Sequence, residues 1–100
     1  MQIKTIILVV AIFGSFLTTK AQSFTETQQD SLISIWKDVT QQDTIRLNAV
    51  HRIAMEGYRF KNPDSAFYYA QLQHDFARTT KHKEFQALAL ITQGDYYLLK

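Results

Sequence analysis

No cysteine occurs anywhere in the chain, so no disulfide can staple it and no lipid can be attached through a cysteine thiol. Stability has to come from packing. A single proline, Pro63, and three glycines punctuate the sequence, and strict alternation of apolar and polar residues is hard to find, which argues for helices over strands. Beyond the N-terminal stretch the glycines stand singly, at Gly57 and Gly94, so no glycine-rich loop can cradle a phosphate. No apolar run approaches the roughly 20 residues that cross a bilayer as a helix.

The longest apolar run, residues 6–17, follows Lys4 and precedes Thr19-Lys20-Ala21. A charged start, a short apolar stretch and small residues at the end form the three-part pattern of a secretory signal peptide, with cleavage expected between Ala21 and Gln22. The chain is therefore read as exported across an inner membrane, to a periplasmic or envelope-associated location. Export also changes the charge argument. The formal charge of +2 comes from 11 Lys and Arg against 9 Asp and Glu, and Lys4 and Lys20 leave with the leader, so a neutral chain remains. Nucleic-acid binding needs a basic footprint that releases counterions, and none is left. The one local cluster, Arg78, Lys81 and Lys83 around His82, reads as a solvated loop between helices.

Four helices are expected in the exported part. Leu32, Ile35, Trp36 and Val39 recur at helical spacing and mark a short first helix within an N-terminal segment, residues 22–42. Asp43 is placed as the cap of a second helix, with Leu47, Val50, Ala54, Gly57 and Tyr58 on its apolar side and an end near Phe60. Asn62, Pro63 and Asp64 are a strong start for a third: a favoured cap, proline in the first turn, and a carboxylate at the positive end of the helix dipole. In this helix Ala66, Ala70 and Ala77 alternate with Phe67, Tyr69 and Phe76, a knob-and-gap surface suited to tight antiparallel packing. A fourth helix runs from about Glu84 to the end. Gly94 inside it costs about 1 kcal/mol relative to alanine, which predicts close approach of a neighbouring helix and overpacking in Gly94→Leu.

Catalytic chemistry finds little support. His51, His74 and His82 lack the spacing of a helical metal pair, so neither a metal site nor a cofactor is expected. Ser31 and Ser65 each follow an aspartate, but without the strand-turn-helix context of a nucleophile, and both fit helix starts. Asp38 and Asp43 read as capping groups, because nothing apolar encloses them to drive their pKa values apart. The tyrosines from Tyr58 to Tyr97 read as core residues that keep their hydroxyls at a wet edge.

The spacing from residue 43 to the end resembles the tetratricopeptide repeat, a 34-residue helix pair with a small residue and an aromatic three apart in its first helix and an alanine early in its second. Gly94 with Tyr97, and Tyr58 with Ala66, stand at those positions, and Ala70 joins the packing set. The sequence departs from the pattern in three places: Tyr58 and Tyr97 are 39 apart, bulky Met55 precedes Tyr58 by three, and Gln73 stands where a second alanine is common. The implied fold is all-α, antiparallel helix pairs of tetratricopeptide-repeat type, incomplete at the C-terminus: one degenerate repeat plus the first helix of the next. Further helices are expected to follow, since Leu98-Leu99-Lys100 carries no capping glycine and arrays need about three units for a stable core.

More narrowly, "DSLISIW", "DTIRL" and "NPDSAFYYAQLQ" behind a signal peptide are similar to the N-terminal sensor regions of bacterial envelope signalling proteins. In these an exported repeat array precedes a transmembrane helix and a cytoplasmic adenylate/guanylate cyclase or histidine kinase. The resemblance implies a protein or peptide partner held in a groove near Arg52, Glu56, Arg59 and Asp95. It implies contact with a membrane only through a C-terminal transmembrane helix, and no enzyme in the segment itself. Ile91 and Asp95 depart from the clamp that grips a terminal carboxylate, so a different ligand is implied. The other reading is a small self-contained secreted all-helical protein that forms a homodimer or binds a hydrophobic ligand between its helices.

Overall fold

The computed structural model describes residues 24–99; the signal-peptide region and its Ala21/Gln22 cleavage site lie outside them. All the elements described are helical, with no strand among the described residues. They are α1 (Glu26–Lys37), α2 (Asp43–Arg52), a π-helical segment (Ile53–Tyr58) that continues α2, α3 (Pro63–Thr79) and α4 (Lys83–Leu99).

Local chemistry sets each start. Thr25 caps α1 in a reciprocal pair: its hydroxyl accepts from the Gln28 backbone N–H, and the Gln28 side chain accepts from the Thr25 N–H. Two orphan donors of the first turn are satisfied in this way. Asn62 caps α3 as the sequence predicts, its side chain accepting from Ser65 N at 3.2 Å with Pro63 in the first turn. Asp43 does not cap α2. It is the first helical residue, where its charge still meets the helix dipole, while Gln42 holds the cap position without a side-chain bond.

Three other expectations are corrected. Val39 lies beyond the end of α1 and is exposed, because Asp38 ends the helix and turns the chain. The Asp38 carboxylate accepts from both the hydroxyl and the N–H of Thr40, which holds it below the ordinary carboxylate range. Ser31 is inside α1, not at its start. The second helix ends its regular winding at Tyr58, short of Phe60, and the Asn62 N–H returns to the Tyr58 carbonyl at 2.8 Å.

Consecutive helices run in opposite directions, as the order of their contacts shows. Arg46 donates to the Trp36 carbonyl, whereas Gly57, farther along, meets Gln29, farther back. Tyr58 stacks on Tyr69 and Arg46 lies over Phe76. Phe67 packs on Tyr96, Gln93 donates to Gln71, and Gln73 donates to the Phe85 carbonyl. The core is built from Leu32, Leu47, Ala49, Val50, Ile53 and Ala54 with Ala66, Ala70, Ala77 and Ala89. Burying each large aliphatic here contributes about 1.5–3 kcal/mol. The alanines of α3 let backbones approach where larger side chains would hold them apart.

Gly57 lies on the buried side of its helix as the spacing predicts, whereas Gly94 departs from expectation. Gly57 is buried, and a Cβ there would run into the side-chain amide of Gln29. Gly94 is exposed, with nothing within 4 Å of an added Cβ. The close neighbour expected at Gly94, and with it the overpacking expected for Gly94→Leu, is therefore absent among the described residues.

Candidate functional site

The four polar residues placed at the groove form two ion pairs. Arg52 meets Glu56 at 3.0 Å, one helical turn on and across the junction where α winding gives way to π winding. Arg59 meets Asp95 at 3.0 Å and ties the end of the π-helical segment to α4. Beside this pair the Thr92 hydroxyl lies 3.3 Å from Met55 Sδ. Residues 55 and 59 thus advance along residues 92 and 95, so the end of the second helical stretch and α4 run in the same direction, linked here through side chains.

The two pairs differ in setting. Arg52 and Glu56 are both well exposed, and such a pair contributes little to stability. Arg59 and Asp95 are only 34% and 21% exposed. The Arg59 guanidinium also lies 4.8 Å from the centre of the Phe60 ring, and its Nε is buried without a partner. The arrangement offers one exposed ion pair and one partly shielded pair.

The packing residues divide along the chain. Ala66 and Ala70 are buried, and Tyr58 is partly buried in its stack with Tyr69. Burial, with Tyr58 and Tyr68 nearby, raises the Tyr69 hydroxyl pKa. Gly94 and Tyr97 stand on an open face, although Tyr97 keeps edge contacts to Phe67 and Tyr96.

Sequence reasoning missed three features. Arg46 donates to the Trp36 carbonyl at 2.9 Å and lies over both the Trp36 and Phe76 rings, a clasp joining α1, α2 and α3; cation–π contact of this kind leaves no sequence pattern. Gln73 is fully buried, its amide donating to the Phe85 carbonyl at 2.8 Å. Its Oε1 and the Nδ1 of His51 are buried without hydrogen bonds of good geometry. Burial lowers the His51 pKa, while the Gln73 amide and the Glu56 carboxylate pull it upward more weakly. The third feature is a cleft of about 390 Å³ between the start of α1 and the end of the π-helical segment, lined by Phe24, Gln29, Ile33 and Tyr58 with Glu26, Asp30 and Lys61 at its sides. It contains none of Arg52, Glu56, Arg59 or Asp95.

Among the described residues no cluster of histidines and carboxylates could hold a metal ion, and no helix is long and apolar enough to cross a membrane. Comparison with protein-family models, curated proteins and solved structures found no match to this chain.

Proposed function

We propose that the chain is an exported helical-repeat interaction module of tetratricopeptide type, the sensory N-terminal part of a membrane-bound signalling protein, and that it binds a protein or peptide along the ridge of Arg52, Glu56, Arg59 and Asp95. The observation that carries this reading is the same-direction course of the second helical stretch and α4, linked by Arg59–Asp95 and Met55–Thr92. In a repeat array the first helices of successive pairs line one surface in this way.

The π winding also removes a departure from the repeat pattern. A π turn takes one residue more than an α turn, so the residue one turn before Tyr58 becomes Ala54, buried and small, instead of Met55. The extra residue accounts for part of the 39-residue spacing between Tyr58 and Tyr97. The cyclase or kinase output of the signalling reading rests on sequence resemblance alone.

Two measurements test the proposal. A reporter enzyme active only outside the inner membrane, fused after Lys100, is expected to be active, with the mature N-terminus at Gln22; a silent reporter defeats the export reading. A peptide library screened on the purified chain is expected to yield extended binders that lose at least tenfold in affinity in Arg52→Ala and Glu56→Ala while the melting temperature stays unchanged. Binders indifferent to both substitutions, or no binders at all, would overturn the groove.

A further inference from the structure

The cleft between the start of α1 and the end of the π-helical segment is built from three kinds of group. Phe24, Ile33 and Tyr58 form its apolar part, and each packs against the Leu32, Ala49 and Ile53 core, which holds that wall in place. Tyr58 is further backed by its stack on Tyr69. The Gln29 amide lies against Gly57, whose lack of a side chain makes room for it; its Nε2 and Oε1 are both buried without a hydrogen-bond partner among the described residues. Glu26, Asp30 and Lys61 complete the lining and are exposed.

The polar groups lack what the fold would have to supply. A buried amide with neither bond made is costly, and it calls for an acceptor at Nε2 and a donor at Oε1 together. Glu26 opens α1, where its charge answers the helix dipole, but Asp30 lies beyond the first turn. Four residues apart on one helix, the two carboxylates repel each other until a cation meets them. Lys61 stands on the turn after the π-helical segment. Among the described residues neither carboxylate nor Lys61 joins an ion pair.

A small zwitterion with an apolar side chain answers all of these together. Its ammonium suits Glu26, Asp30 and the Gln29 Oε1, its carboxylate suits Lys61 and the Gln29 Nε2, and its side chain suits the wall of Phe24, Ile33 and Tyr58. A purely apolar ligand would leave the amide and the charges unmet, and a simple ion would face like charge on one side. The cleft volume of about 390 Å³ stands near the lower end of the roughly 300–1,000 Å³ typical of small-molecule sites. We propose that the cleft is a binding site for a free α-amino acid with an apolar side chain. It shares no residue with the peptide-binding ridge and goes beyond it.

Calorimetric titration of the purified chain with L-leucine and L-phenylalanine is expected to show saturable binding. N-acetylation, which removes the ammonium, and conversion to the primary amide, which removes the carboxylate, are each expected to weaken it by about tenfold or more. Glu26→Gln combined with Asp30→Asn is expected to erase the penalty of acetylation, and Lys61→Met that of amidation. General loss of structure cannot produce that pairing of variant with ligand, and all three residues are exposed, so each variant is expected to stay helical by circular dichroism. The absence of saturable binding, which is the outcome if another segment or protein fills the cleft, overturns the proposal. So does equal binding of the parent, acetylated and amidated forms, the mark of an apolar pocket only, or tighter binding of leucyl-leucine than of leucine, the mark of a peptide end. Arg52→Ala and Glu56→Ala are expected to leave leucine binding unchanged, so the cleft and the ridge fail separately.

Discussion

The Arg59 guanidinium sits 3.0 Å from the Asp95 carboxylate and bridges two helical segments 36 residues apart in sequence. Both side chains are partly shielded from water, so the pair exceeds an ordinary surface bridge in strength while still being screened by solvent. Asp95→Ala is expected to cost about 1 kcal/mol by urea denaturation, because the Arg59 Nε is already buried without a partner and the guanidinium would lose its carboxylate. Arg59→Ala in the Asp95→Ala background should add little, and purely additive losses would show that the two groups are not coupled.

Gln73 is fully buried, and its amide donates to the Phe85 carbonyl. Gln73→Leu keeps most of the volume but deprives that carbonyl of its donor, at an expected cost of about 1–3 kcal/mol. The Oε1 that lacks a good partner offsets part of this. Chemical denaturation of the variant decides the sign, and a gain in stability would mean that the orphan oxygen outweighs the bond.

His51 makes stability depend on pH. Its folded-state pKa lies below the ordinary value of 6.5, chiefly through burial. As pH falls through 6.5 the unfolded chain takes up a proton that the folded chain resists, so stability is greatest above that value and declines below it until the folded pKa is passed. Denaturation midpoints between pH 7.5 and 5 should fall for the wild type and stay flatter for His51→Gln. Identical slopes would refute the assignment.

Gly94 faces open space in the single chain. Under dilute conditions Gly94→Ala is therefore expected to stabilise α4, by up to about 1 kcal/mol from helix propensity alone. A lower melting temperature in dilute Gly94→Ala would reveal a close neighbour.

Lys81 closes α3 with φ of 61°, and the His82 N–H returns to the Ala77 carbonyl at 2.8 Å, the pattern of a left-handed helix terminus. A side chain is strained in that conformation and glycine is not. Lys81→Gly is expected to raise stability by about 1 kcal/mol, read as a higher melting temperature. An unchanged value would indicate that the strain is already relieved.

Legibility varied with the range of the interaction. The start of α3 was readable because Asn62, Pro63 and Asp64 act on backbone groups within one turn. The first-helix stripe was readable only as far as Trp36, since Val39 matches the period but lies past the turn that Asp38 makes with Thr40. The π winding at Ile53–Tyr58 has no sequence signature in propensity or periodicity. Two single glycines looked alike in sequence, yet one lies under Gln29 and the other is open.

The sequence by itself determined that the described chain is helical, where α3 begins and, to within a residue, where α2 and α4 begin, and that alanines would face inward in α3, because those outcomes depend on backbone propensity, capping and hydrophobic period. Only the tertiary structure decided which charges pair, Arg59 with Asp95 across 36 residues, which glycine is crowded, and which face of α4 stays open. Those depend on how helices cross, and crossing is set by side-chain volumes meeting from distant parts of the chain.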